Sequence, residues 1–285
     1  MIKLLDKSKI FQISRENGGE RYTKRFNIWV HLVVMLYAVI MRFDSLREIT
    51  ASLLGEARKL NHLGLTFKIG RSTLADANKR RSEHIFEEIY RHLYGRYGEV
   101  LSSDSRSRKT PKWMKRLQII DSTTITLFSN LIFKGVGRQP KTGKKKHHHA
   151  RIVTYVDEEK HKLISLLTND MDSDPEEIVA IYRKRWEIEL LFKQMKQNFP
   201  LKYFYGESAN AIKIQIWVTL IANLLLMVMQ KGLRRQWSFS GLATMVRISL
   251  MYYVDFYSLF NNPEKDWENV LAEAFEMPPE LTLFD

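Results

Sequence analysis

Two stretches of this chain decide much of what it can become. Residues 26–41 (FNIWVHLVVMLYAVIM) are almost continuously apolar, and residues 214–229 are apolar again except for Gln215, Thr219 and Asn223. That much apolar surface must leave water, either into a bilayer or into a protein core. A spanning helix needs about 20 predominantly apolar residues, whereas these runs are shorter, flanked by charge on both sides, and in the second case carry amides at helical spacing. Length therefore favours two buried core helices, with no membrane partner. The start Met1-Ile2-Lys3-Leu4-Leu5-Asp6-Lys7 lacks the apolar run of a signal peptide, so the expected location is cytoplasmic.

A chain of 285 residues corresponds to about two domains at roughly 150 residues each, and 45% apolar residues are enough for a sizeable core. The absence of cysteine excludes a disulfide scaffold, a thiolate zinc site, a cysteine nucleophile and an iron–sulfur cluster. Lys and Arg total 45 against 32 acids, a net charge of +13. The excess is uneven: residues 1–150 hold 30 basic and 13 acidic side chains, residues 151–285 hold 15 and 19. An anionic partner is expected at the N-terminal half, because each cation set against a phosphate releases condensed counterions.

Residues 44–98 read as helix in three pieces. Asp44 and Ser45 can cap Leu46–Leu54, and Gly55 punctuates it. Gly70-Arg71-Ser72-Thr73 then reads as a loop, a cap and a helix start, and the pattern runs on through Ile85, Ile89, Leu93 and Tyr97. A short helix, a turn and a second helix rich in Ser, Thr, Asn and Arg near its start is what a helix-turn-helix reader offers to a major groove. The same residues also fit the solvated face of a helical bundle. Residues 101–112 (LSSDSRSRKTPK) form a linker by composition and mark a domain boundary.

Beyond the linker, Leu117–Ile120 ending at Asp121, and Ile125–Ile132, are consistent with two strands. Arg151–Val156 and Lys162–Leu167, separated by five mostly charged residues, resemble a hairpin. Helices are expected over 175–198, 207–234 and 239–261. Pro175 followed by Glu176 and Glu177 is a strong helix start. At about 100° per residue, Glu189, Lys196 and Arg185 fall within about 60° of Tyr182. Ile181, Ile188, Phe192 and Met195 lie on one side of that stripe and Trp186 and Leu190 on the other, so the stripe is expected to lie out of solvent. Charged groups there must be paired or bound to something; an Arg185–Glu189 ion pair satisfies the pattern as well as a site does. Asp121, at the C-terminal end of an apolar strand, sits where open α/β sheets place ligand-binding groups, and with Glu189 it could hold a hard divalent ion.

The segment Tyr182-x2-Arg185-x3-Glu189-x6-Lys196, within YRKRWEIELLFK, resembles the Tyr-Arg-Glu-Lys signature of the DDE transposases of bacterial insertion sequences. Ile119-Ile120-Asp121-Ser122-Thr123 is similar to that family's first-aspartate strand, and Phe133–Lys146 to the basic stretch after it. Residues 26–97, including Gly70–Arg81, resemble the N-terminal DNA-binding region of one subgroup. The resemblance implies an α/β protein: a helical DNA-binding region over 1–110, then a truncated ribonuclease H-like catalytic domain with long C-terminal helices over 111–285. It implies a catalytic and metal-binding pair, Asp121 and Glu189, using Mg²⁺ or Mn²⁺ for in-line displacement at phosphorus. Tyr182, Arg185 and Lys196 would contact DNA near the scissile phosphate, with further DNA contacts at Arg71, Ser72, Thr73, Lys79, Arg80, Lys144 and Lys145. The implied partner is double-stranded DNA, element ends and target alike, and a homodimer on paired ends is compatible with it.

One departure stands out. The family's second aspartate normally lies in an Asp-Arg-x-x-Tyr context, and none exists between Asp121 and Glu189. Asp157, Asp170, Asp172 and Asp174 lack that setting. The text changes character between Lys146 and His147, which points to an internal deletion of the strand bearing the second acid. The expectation is a copy of marginal stability that binds DNA and cuts it poorly or not at all. His147, His148 and His149, with His161 the other histidine nearby, lack zinc-ligand spacing and read as a fortuitous loop.

Overall fold

The computed structural model describes residues 1–101 apart from 22, 61–62 and 64, together with 151–157, 161–168, 172–250, 256–262 and 264. The chain divides into two compact units, Met1–Ser105 with Asn198–Asp285, and Arg106–Gln197. Among the described residues the protein is mostly helical, with one two-stranded sheet.

The first unit is built around the two apolar runs. Helix α1 (Lys7–Glu16) is capped by Asp6, whose carboxylate accepts from the Lys9 amide at 3.0 Å. Helix α2 (Ile28–Met41) is buried at every residue from Ile28 to Ile40. A helix apolar all round needs neighbours all round, and α2 has them in α1, in α8 (Ala209–Lys231) and in α9 (Phe239–Ser249). Near its C-terminal end, Arg247 of α9 reaches back to donate from Nε to the Ile40 carbonyl at 2.8 Å. That satisfies one of the carbonyls a helix leaves without an internal partner.

Helix α8 is long and apolar enough to cross a membrane by length and composition. Much of it instead packs within the unit, against α2, α5 (Arg71–Arg80), α6 (Glu83–Leu101) and α9. Its three polar interruptions have structural work. Gln215 is fully buried; its Nε2 donates to the carbonyls of Pro200 at 2.9 Å and Tyr203 at 2.8 Å, and its Oε1 accepts from the Tyr205 amide at 2.9 Å. Thr219 donates to the Gln215 carbonyl at 2.8 Å, and Asn223 lies 3.3 Å from the Met227 sulfur. Helices α8 and α9 thus share a core with the N-terminal helices, although sequence order alone groups them with the segment beyond residue 110.

Helix α3 (Leu46–Gly55) begins as expected: the Glu48 amide donates to Ser45 Oγ at 3.2 Å while Glu48 Oε2 accepts from the Asp44 amide at 3.0 Å. A short α4 (Ala57–Leu60) follows, and α10 (Phe256–Asn261) closes the described chain. The helical pattern read as running on from the Gly70–Arg81 stretch through Tyr97 is interrupted: α5 stops at Arg80, and Arg81 takes an extended conformation (φ −73°, ψ 128°) before α6 starts at Glu83. Neither Gly nor Pro stands at the break, and its cause is a tertiary network described below.

In the second unit, β1 (Arg151–Asp157) and β2 (Lys162–Thr168) form the expected antiparallel hairpin, with Val153 opposite Leu166 and Tyr155 opposite Ile164. These four side chains face α7 (Pro175–Asn198), where Ile178, Val179 and Tyr182 complete a small core. Alternation puts Ile152, Leu163 and Leu167 on the other face, and all three are exposed. The expected strands over 117–120 and 125–132, the basic stretch and the histidine run lie outside the described residues.

Candidate nucleic-acid interface

Helix α5 turns two faces in opposite directions. Leu74 and Asn78 point into the core, while Arg71, Ser72, Thr73, Asp76, Lys79 and Arg80 are exposed. All five residues of this helix singled out from sequence therefore stand on its solvent side. Arg80 and Asp76 form an i,i+4 ion pair at 2.7 Å; both partners are open to water, so the pair is worth little.

The inner end of α5 is fixed by a buried polar cluster. Fully buried His31 on α2 places Nε2 at 2.7 Å from Asn78 Oδ1 and Nδ1 at 2.9 Å from Arg81 Nη1. Arginine offers only donors, so Nδ1 must accept and Nε2 carries the proton given to Asn78. Burial, then the adjacent Arg81 charge, lowers the His31 pKa to about 3, and the ring is neutral. The Arg81 guanidinium also donates from Nη2 to the Phe26 carbonyl at 2.9 Å and from Nε to the Gly19 carbonyl at 3.2 Å. Burial pulls its own pKa down, with Glu20 opposing. These bonds hold Arg81 out of helical geometry and separate α5 from α6. Asn210 of α8 seals the break: its Nδ2 donates to the carbonyls of Asn78 and Arg81, each at 2.8 Å, and its Oδ1 accepts from the Glu83 amide at 3.1 Å.

The same network anchors the segment 17–27, which enters α2. Gly18 adopts φ +66° at the end of α1, a conformation glycine takes without strain. At Gly19 a Cβ would lie 2.6 Å from Ser14 Oγ and would collide with the Ile85 side chain. Glu20 Oε1 accepts from the Ser14 hydroxyl at 2.8 Å and the Ile28 amide at 3.0 Å. Between this segment and the solvent face of α5 lies a cleft of about 1100 Å³, bordered by Arg21, Lys24, Arg25, Lys68, Thr73 and Arg80 among others. Sequence reasoning did not single out the Arg21, Lys24 and Arg25 cluster. Its signal was the run Arg-Tyr-Thr-Lys-Arg, separated from the Gly18-Gly19 pair by Glu20 alone.

In the second unit, Tyr182 is half-buried against the hairpin, and the neighbouring Arg183 guanidinium lies 5.7 Å from the centre of the Tyr155 ring. Glu189 is half-buried and Lys196 exposed; Arg185 lies within α7, but its side chain is outside the described residues. The expectation that this stripe runs between two dry flanks is corrected, since Leu190 is 51% exposed. Asp121, Lys144 and Lys145 lie outside the described residues. Among those described, no group of three metal-ligating side chains comes together. Glu189 alone does not make a metal centre.

Comparison with known proteins bears on both units. Residues 111–225 match the family model described as Transposase DDE domain, and residues 1–66 match a domain of unknown function (DUF4372). The chain is 42% identical over 65 residues to a putative transposase, y4zB, of Sinorhizobium fredii, covering 23% of this chain and 18% of that protein. It is 35% identical over 89 residues to a putative transposase for insertion sequence element IS4SA of Synechocystis, covering 30% and 26% respectively. With a probable transposase for element IS5377 of Geobacillus stearothermophilus it shares 26% identity over 113 residues, covering 39% and 27%. The matched segments thus span between 18% and 27% of these relatives' lengths. No solved structure matches the chain.

Proposed function

We propose that this chain, a relative of the DDE transposases of insertion sequences, works on the DNA of such an element as a transposase impaired in cleavage. The observation that carries the reading is the DDE-domain match over 111–225, which encloses both Asp121 and the Tyr182, Arg185, Glu189, Lys196 series. That match implies a ribonuclease H-like domain; the described residues within the match include the hairpin, α7 and residues 199–225, the last of which take in most of α8. Support from the first unit is the exposed basic face of α5 in the charge-rich half of the chain.

In this reading the helical region binds element ends in the cytoplasm, and two copies meet on paired ends. Asp121 and Glu189 would hold Mg²⁺ or Mn²⁺, which supplies the activated water or 3′-hydroxyl and stabilises the leaving oxygen. Tyr182, Arg185 and Lys196 would orient the phosphodiester, Arg185 through a bidentate grip and Lys196 as a point charge. Lys144 and Lys145 add backbone contacts. Cleavage is impaired because the second aspartate has no counterpart, and the deletion near 146/147 that removed it leaves an ion pair of charge about +4 short of one carboxylate.

A second reading, a non-catalytic DNA-binding remnant, is favoured by the same missing acid. The test compares wild type with Glu189→Gln on element-end DNA with Mg²⁺ or Mn²⁺. Slow nicking that the substitution abolishes supports the impaired enzyme; identical background nicking supports the remnant; strand transfer at intact-transposase rates refutes both.

A further inference from the structure

The geometry points to the cleft between residues 17–27 and the solvent face of α5 as a clamp for the phosphodiester backbone of duplex DNA, gripped by Arg21, Lys24, Arg25 and Lys68. It rests on the reading of this chain as a protein that acts on DNA, and it assigns a site that the resemblance does not.

Six basic side chains border the cleft against one acid, Asp76, and that acid is already engaged by Arg80. Arg81 is committed to the buried cluster. Arg21, Lys24, Arg25 and Lys68 are all exposed, and among the described residues none of them forms an ion pair. Four unneutralised cations facing one concavity focus a positive field that a polyanion relieves by shedding counterions.

The clamp is held in place before any ligand arrives. Arg81 ties the Gly19 and Phe26 carbonyls to the α2–α5 core, and Glu20 ties the same segment to Ser14 and the start of α2. A preorganised wall loses less entropy on binding than a free loop does. Thr73, Asp76, Ala77 and Arg80 give the cleft its other side, so the exposed face of α5 borders the same space. A helix beside a phosphate grip suits a duplex, whose major groove is about 12 Å wide and admits a helix. Backbone contacts of this kind set register and orientation and carry no sequence information themselves.

The test uses the full chain and fluorescence anisotropy with a labelled duplex of arbitrary sequence, a single strand of equal length, and a salt titration. The triple variant Arg21→Gln/Lys24→Gln/Arg25→Gln is compared with Lys202→Gln/Lys231→Gln/Arg234→Gln, which removes equal charge from exposed positions outside the cleft. The inference expects the cleft variant to weaken duplex binding about tenfold or more and to lower the slope of log K against log salt by roughly 2–3. The control variant should do markedly less, and both variants should keep the wild-type melting temperature. Equal losses in the two variants, an unchanged slope, or tighter binding of the single strand would overturn the clamp. Wild type failing to bind any DNA would overturn the underlying reading as well, whereas wild type binding unaffected by the cleft variant would overturn the clamp alone.

Discussion

His31 Nδ1 lies 2.9 Å from Arg81 Nη1 in the core of the helical unit, a neutral imidazole accepting from a buried guanidinium. The two residues are 50 positions apart, and between them they join α2, the end of α5 and the segment that leads into α2. The contact decides where one helix stops and the next begins.

Removing the guanidinium strands several acceptors at once. Arg81→Met keeps the apolar stem and leaves His31 Nδ1 and the carbonyls of Gly19 and Phe26 without their donor. Buried polar groups deprived of a partner cost about 1–3 kcal/mol each, and part of the set will find water. We expect a loss of about 3–5 kcal/mol in urea unfolding, with Arg81→Lys recovering little because an ammonium cannot reproduce the fork.

The His31 pKa gives a signed pH dependence. Its folded value of about 3 lies below the ordinary 6.5, so between those limits the unfolded chain holds a proton that the folded chain lacks. Stability carried by the neutral ring is complete above the unfolded pKa and drains away as pH falls. Between pH 7 and pH 5 wild type should lose about 2 kcal/mol more than His31→Gln does. Parallel stability profiles for the two proteins would show that this ring is not the titrating group.

At Gly19 the chain has no room for a side chain. A Cβ there would press on the tips of the Ser14 and Ile85 side chains, both fully buried, and would lie 3.3 Å from the Ser14 carbonyl oxygen. Gly19→Ala should cost about 1–3 kcal/mol by overpacking, and it should also weaken DNA binding, since it displaces the wall that carries Arg21, Lys24 and Arg25. A thermal melt and an anisotropy titration on one preparation measure both effects.

Local patterns made some elements readable and tertiary causes hid others. The run from Ile28 to Ile40 needed no periodicity argument, because a stretch with one histidine and no charge must leave water, and its length, short of a span, favours a core. The hairpin was legible in two largely apolar runs around a charged turn. The break at Arg81 was not, because Arg-Ser is a poor helix stop and the forces that end α5 come from His31, Gly19, Phe26 and Asn210, all remote in sequence. The dry stripe on α7 failed at Leu190 for the converse reason: a helical wheel assigns angles, and only the packing environment decides which angles are wet. The basic face of α5 could be found from its composition, whereas the cleft needed the turn at Gly18 and Gly19 to bring Arg21, Lys24 and Arg25 opposite Arg80 and Lys68.

The central claim is that this protein recognises the ends of an insertion element. The most direct measurement is the equilibrium affinity of the full chain, at physiological salt, for a duplex carrying the terminal inverted repeats that flank its own coding sequence, against a scrambled duplex of the same composition. The account predicts a preference of roughly a thousandfold or more for the element end, within the range of specific DNA-binding proteins. Equal affinity for the two duplexes, or none for either, would contradict it.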